Sequence, residues 1–127
     1  MKDLIEYPLA KLAHEKGYHL RHRYMYDRNN ELQLTPSIKE VLQQGGGIKE
    51  LKAPPQTFAP TQSQLQRWLR EEHFIDVFII DSIKEECYDW EIRIADVDKK
   101  IECDQYYHNY EAALEDGLME AVNKIEL

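Results

Sequence analysis

"YDWEIRIADVDKKIECDQYY", residues 88–107, is the stretch whose reading decides the fold. Tyr88, Trp90, Ile92 and Ile94 alternate with Asp89, Glu91 and Arg93, the period-two pattern of a strand with one buried face. A tight "DVDK" connection then returns the chain through "KKIECDQYY", 99–107. With Ala95 opposite Lys100, paired residue numbers sum to 195. That register sets Ile94 beside Ile101, Ile92 beside Cys103 and Tyr88 beside Tyr107 on one face. Arg93 meets Glu102 on the other, so apolar pattern and charge pairing agree. Cys103 then faces Ile92 in the core, far along the ladder from Cys87, and no disulfide joins them.

Upstream, "APTQSQLQRWLREEHFIDVFI", 59–79, opens with Thr61 three residues before Gln64, a capping box. Leu65, Trp68 and Leu69 share one face of a helix running to about His73, with Trp68 as an anchor against the sheet. His73 suits the last turn, where an imidazolium favours the helix dipole. Residues 75–80, "IDVFII", are apolar at nearly every position and predict a strand buried on both faces. Downstream, "NYEAALEDGLMEAVNKIEL" repeats apolar residues at 3–4 spacing from Tyr110 through Ala113, Leu114, Gly117, Leu118, Ala121 and Val122 to Ile125. Asn109 is the expected cap, and Gly117 on the apolar stripe implies a close approach to the sheet or another helix.

The expected fold class is α+β. Residues 56–127 form an α-β-β-β-α core, a three-stranded antiparallel sheet with two helices on one face. Residues 1–55 form an N-terminal extension or subdomain. In it, Pro8 and Gly17 bracket a helix over 8–16. "YHLRHRYMYDRNNELQL" predicts two short strands around a turn at Asp27–Asn30. Thr35 and Pro36 start a short helix carrying Ile38, Val41 and Leu42. Three glycines and three prolines within 45–60 mark a boundary or long loop.

Composition narrows function. The 127 residues suit one small domain plus an extension, and no apolar run is long enough to cross a membrane. The N-terminus lacks the apolar centre of a signal peptide, so a cytoplasmic location with reduced cysteines is expected. Charge is uneven: residues 1–55 hold 9 Lys/Arg and 7 Asp/Glu, whereas 56–127 hold 7 and 17, a net of −10. Such a field repels phosphate backbones and favours basic partners.

Two resemblances follow from these elements. The α-β-β-β-α order is similar to the double-stranded RNA-binding fold, which grips phosphates with lysines at the start of its last helix. Here that turn carries Glu111, Glu115 and Asp116, so RNA binding is not carried over. "LAHEKGY", "APTQSQLQRWLREEHFIDVFI" and "YYHNYEAALEDGLMEAV" resemble a family of small uncharacterised proteins found in bacteriophages, prophages and Bacteroides-type genomes. That resemblance implies a setting, a phage or mobile element, and no particular mechanism.

The chemistry-bearing residues point away from catalysis. Ser37, Ser63 and Ser82 sit at helix starts or in a loop, no nucleophile elbow occurs, and the "GGG" at 45–47 is not followed by Lys-Ser/Thr. His19 and His22 fall on opposite faces of a strand or its lead-in and do not form a metal site. No enzyme activity, no cofactor and no metal are therefore expected. Glu91 faces Asp104 with Asp89 alongside, like charges that persist where water, a cation or a basic partner meets them. The expected function is a non-enzymatic accessory or interaction protein that binds a protein partner, or itself, through Asp89, Glu91, Arg93, Glu102, Asp104 and Tyr106. The alternative is nucleic-acid-related: contact through the hairpin residues Arg21, Arg23, Tyr24, Tyr26 and Arg28, or an acidic half that mimics DNA.

Overall fold

A computed structural model describes residues 3–36, 43, 57–82, 86–103 and 105–126. The helix expected from Pro36 to Leu42 and most of the Gly/Pro-rich boundary lie outside the described residues. Three helices are described: α1 (Tyr7–Glu15), α2 (Gln62–His73) and α3 (Tyr110–Asn123). The described strands are β1 (Tyr24–Tyr26), β2 (Leu32–Leu34), β3 (Thr57–Phe58), β4 (Ile75–Ser82), β5 (Cys87–Ile94) and β6 (Lys99–Glu102). They form two antiparallel sheets, ordered β2-β1-β3 and β4-β5-β6, and the fold class is α+β.

Local signals set the helix ends. Pro8 lies in the first turn of α1, and Gly17, with φ of 103°, follows its Lys16 cap. The capping box of α2 forms in full: Thr61 Oγ1 accepts from the Gln64 N–H at 3.1 Å, and Gln64 Oε1 accepts from the Thr61 N–H at 2.8 Å. Asn109 caps α3, its Oδ1 accepting from the Ala112 N–H at 2.7 Å. The β1–β2 turn closes on Asp27, whose Oδ1 accepts from the Asn29 and Glu31 N–H groups, with Asn30 left-handed.

One apolar cluster joins the N-terminal helix to the rest. Ile5, Leu9, Ala10, Ala13 and Tyr18 pack with Leu65 and Leu69 of α2, Ile75, Val77, Trp90 and Ile92 of the sheet, and Leu114, Leu118, Ala121 and Val122 of α3. The α2 and α3 helices both cover the face that carries Val77, Trp90 and Ile92. At Gly117 the helix reaches the sheet so closely that a Cβ would lie 3.0 Å from Trp90 Cβ and Cγ and 3.1 Å from Val77 Cγ1. Asp116 beside it accepts from Trp90 Nε1 at 2.8 Å and from the Tyr107 hydroxyl. Burial, and then that bond to a carboxylate, pushes the Tyr107 hydroxyl far above its usual range. Glu115 ties three helices: Oε2 accepts from the Glu6 N–H at the start of α1 at 2.9 Å, and Oε1 from Gln62 Nε2 in α2 at 3.0 Å.

Four sequence expectations need correction. The β5–β6 hairpin pairs Glu91 with Glu102, Ile92 with Ile101, Arg93 with Lys100 and Ile94 with Lys99, so residue numbers sum to 193. Ala95 leaves the ladder to donate to the Phe74 carbonyl, and Ala95–Val97 with left-handed Asp98 form the turn. A shift of two keeps every side chain on its face, so alternation cannot distinguish the two registers; the turn decides. The 195 register returns at one bridge, Tyr88 with Tyr107. Between the Cys103–Trp90 bond and that bridge, the chain after β6 carries two extra residues, a bulge held by Gln105 donating to Cys103 Sγ at 3.3 Å. Ile101, not Cys103, therefore faces Ile92, and both cysteines are free.

Next, β4 is not buried on both faces. Ile75 and Val77 point inward, whereas Phe78 is 37% and Ile80 47% exposed, because both helices lie on the other side. Trp68 is half-buried, and its ring meets Tyr18 edge-on at 4.9 Å and His73 at 4.6 Å, so it anchors the segment after α1 rather than the sheet. Tyr110, read as part of the buried stripe of α3, is exposed at the helix start against Tyr88.

Candidate partner-binding face

With both helices on one side, the other face of β4-β5-β6 is built from the alternate residues: Asp76, Phe78 and Ile80 of β4, Asp89, Glu91 and Arg93 of β5, and Lys100 and Glu102 of β6. The charges there are organised around Glu91. It stands directly opposite Glu102, an unfavourable pairing that two cations resolve. Arg93 Nε donates to Glu91 Oε2 at 2.9 Å, and Lys100 Nζ lies 3.1 Å from both Glu91 Oε1 and Glu102 Oε1. Glu91 is only 6% exposed. Burial raises its carboxyl, but the bonds from Lys100 and Arg93 outweigh that and hold it below the usual carboxylate range. The Arg93 guanidinium also lies 4.7 Å over the Phe78 ring. Asp89, two residues away, is pushed up by burial and by the Glu102 and Glu91 charges, and its Oδ1 is buried without a hydrogen-bond partner among the described residues.

A cleft of about 600 Å³ opens at one end of this face, lined by Arg70 and Phe74 at the end of α2, Asp76 and Phe78 of β4, Arg93 and Ile94 of β5, and Asp98, Lys99 and Lys100 after the turn. Four cations and two carboxylates line it, but Arg93 and Lys100 are already paired with Glu91 and Glu102, so its open cationic character rests on Lys99. Arg70 is 3.8 Å from Asp76, whereas Lys99 makes no ion pair among the described residues. Phe74 forms the lip. It is 54% exposed, and it caps α2 in the left-handed conformation with φ of 55°. A bulky side chain is disfavoured there by about 1–2 kcal/mol, and glycine is the usual occupant.

Of the residues read from sequence as a partner-binding set, Asp89, Glu91, Arg93 and Glu102 do share this face, but Glu91 is an internal brace rather than a contact. Arg93 pairs with Glu91 on its own strand, not with Glu102. Asp104 lies outside the described residues, and Tyr106, 67% exposed, sits in the bulge. Sequence reading missed Phe74, Phe78, Lys99 and Lys100. In "HFIDVFII" the run from Val77 to Ile80 is apolar at every position, so alternation did not mark Phe78 as exposed. A helix running into a strand without glycine was the available signal for Phe74.

The hairpin set is scattered. Tyr26 is committed inward: its hydroxyl donates to the Ile5 carbonyl at 2.6 Å and its ring meets Tyr7 edge-on. Arg21 donates to the Pro36 carbonyl and lies over Phe58, while Arg23 lies over Tyr24. Arg28 is exposed in the turn. His19 and His22 precede β1 rather than sit in a strand; His22 meets the Tyr18 hydroxyl at 2.5 Å and His19 packs edge-on against His14. Burial pushes the Tyr18 hydroxyl up to about 12 and lowers His22. Among the described residues no group of three His, Cys, Asp or Glu side chains is placed to hold a metal ion. No described helix is long and apolar enough to cross a membrane.

No protein-family model, no curated protein and no solved structure matches this chain.

Proposed function

We propose that this chain is a non-enzymatic interaction protein that docks a protein partner on the open face of β4-β5-β6, at the cleft beside Phe74. The carrying observation is Phe74 itself: an exposed aromatic ring kept in a strained backbone conformation at the lip of a cleft that also presents Lys99. Strain of this kind is retained where the side chain has work that glycine cannot do. The partner chemistry follows from the lining. An aromatic or aliphatic side chain fits between Phe74 and Phe78, and adjacent carboxylates meet Lys99 and the outer edges of Arg70 and Arg93. The groups most displaced from their ordinary ionisation, Tyr18 and Tyr107, are locked into the packing and do not line this cleft. The resemblance to small phage and prophage proteins supports an accessory role in such an element.

Selection of a displayed random-peptide library on the purified chain tests the proposal. Enriched peptides should carry an aromatic or aliphatic residue next to Asp or Glu. Their binding should fall at least tenfold on Phe74→Asn, which keeps a residue suited to the left-handed position, and on Lys99→Glu. Peptides enriched without acidic residues, or indifferent to both substitutions, would remove the cleft as the docking site.

A further inference from the structure

The β4 strand carries a second surface, its backbone edge. In the β4-β5-β6 order, β4 has a neighbour on one side only among the described residues. The alternation of hydrogen bonds says which of its groups face outward. The Ala95 N–H bonds to the Phe74 carbonyl, Cys103 N–H to Trp90, and Tyr88 exchanges bonds with Tyr107. Odd residues of β5 therefore bond to even residues of β4, and the N–H and C=O groups of Ile75, Val77, Ile79 and Asp81 point away from the sheet. The Val77 carbonyl is covered, accepting from Gln66 Nε2 of α2 at 2.7 Å. Ile79 and Asp81 have no such partner among the described residues. Beside them the side chains of Phe78 and Ile80 are exposed.

We infer that this open segment, residues 78–82, pairs antiparallel with the same segment of a second copy of the chain, with Ile80 opposite Ile80 on the two-fold axis. Three observations select that occupant and that register. First, the pairing extends from Phe78 opposite Ser82 to Ser82 opposite Phe78, and so stops one residue short of the Val77 carbonyl that Gln66 already holds. Second, the four free backbone groups of Ile79 and Asp81 meet those of Asp81 and Ile79 in the second copy, so every outward donor in the segment finds an acceptor. Third, Phe78 and Ile80 of both copies form one continuous apolar strip across the seam, and no charged residue stands opposite a like charge. Centring the axis on Asp81 would set two carboxylates face to face; centring it on Ile79 would drive the second strand into the Gln66 amide. The result is a six-stranded sheet, β6-β5-β4-β4-β5-β6. This association goes beyond the partner-docking proposal and needs no other protein. The cleft at Phe74 and Lys99 lies toward the other end of β4 and stays open.

The test uses the purified full chain alone. Sedimentation velocity over a concentration series should show a monomer–dimer equilibrium. Added salt should shift it toward dimer, because each copy carries a net charge of −8. Ile80→Lys, at a half-exposed position, should remain monomeric with an unchanged circular dichroism spectrum. Register is read by oxidative cross-linking. Residues opposite each other in a non-hydrogen-bonded antiparallel pair have Cα atoms about 4.5 Å apart, within the range of about 4.4–6.8 Å that a disulfide spans. Ile80→Cys should therefore give a covalent dimer well above the wild-type background from Cys87 and Cys103, and Phe78→Cys should not. A wild-type chain that stays monomeric throughout, a dimer that survives Ile80→Lys, or equal cross-linking by the two cysteine variants would each overturn the inference. A wild-type chain that stays monomeric yet binds the selected peptides separates failure of this inference from failure of the docking proposal.

Discussion

Replacing Gly117 by alanine sets two effects of opposite sign against each other. In an exposed helix the change stabilises by about 1 kcal/mol, since alanine restricts the unfolded chain. Gly117 has helical φ, so the backbone accepts alanine without strain. The new methyl, however, lands 3.0 Å from Trp90 Cβ and Cγ and 3.1 Å from Val77 Cγ1, inside ordinary contact distance on two sides. Neither neighbour can yield cheaply. Trp90 is 6% exposed and its indole nitrogen is bound to Asp116, one residue from the substitution; Val77 is buried on the strand beneath. Overpacking of this kind costs about 1–3 kcal/mol. The balance is a net loss of about 1 kcal/mol, a fall in melting temperature of several degrees for a chain of this size. Gly117→Val, with two further methyls, should lose more. Urea denaturation and thermal melts followed by circular dichroism measure both variants. A rise in stability for Gly117→Ala, equal to that of an exposed helical glycine, would refute the close approach of α3 to the sheet.

Further outcomes follow from the polar ties between elements. Asp116→Ala strands the Trp90 indole and Tyr107 hydroxyl donors and should cost about 2–4 kcal/mol, while Tyr107→Phe should cost about 1–2; a double-mutant cycle on urea midpoints should show strong coupling between them. Thr61→Ala removes the α2 cap and should cost about 1 kcal/mol in the same assay. Burial holds the Glu115 carboxyl above the usual carboxylate range, against the opposing pull of its bonds from Glu6 and Gln62. The folded chain therefore keeps this proton more tightly than the unfolded chain. The resulting stabilisation is complete below the unfolded value of 4.5 and is lost as pH rises through the folded value. Urea midpoints of wild type and Glu115→Gln, measured across that range, should show the wild-type advantage shrinking as pH increases.

The parts of the fold that were legible are those written in local chemistry. Thr61 with Gln64, Asn109, Pro8 and Gly17 each state a helix end through their own hydrogen bonds or dihedrals, and each end lies at or within one residue of where the residues put it, α1 running Tyr7–Glu15 instead of 8–16. Gly117 was legible for the same reason: a glycine on an apolar stripe has little to do but admit a neighbour. The hairpin register was half legible. Alternation fixes which face a residue takes but is blind to a shift of two, and the choice lay in a left-handed Asp98 and a two-residue bulge that no apolar pattern encodes. The candidate site was the least legible part. Asp89, Glu91, Arg93 and Glu102 were found because they alternate, but Lys99 and Lys100 were missed, and Glu91 was read as a contact when Lys100 and Arg93 make it a brace. Phe78 and Ile80 were hidden in a continuous apolar run whose second face is uncovered only because α2 and α3 share the other. Phe74 needed three-dimensional knowledge that the chain turns left-handed between helix and strand.

The measurement that tests the docking proposal most directly is a chemical-shift map of the labelled chain titrated with a selected acidic-aromatic peptide. Backbone amides of Phe74, Phe78, Arg93, Lys99 and Lys100 should move together and saturate at one affinity, with α1 and the outer surface of α3 unaffected. Saturating shifts centred instead on α1, α3 or the Arg21–Arg28 hairpin, with the Phe74–Lys99 cleft silent, would contradict the account.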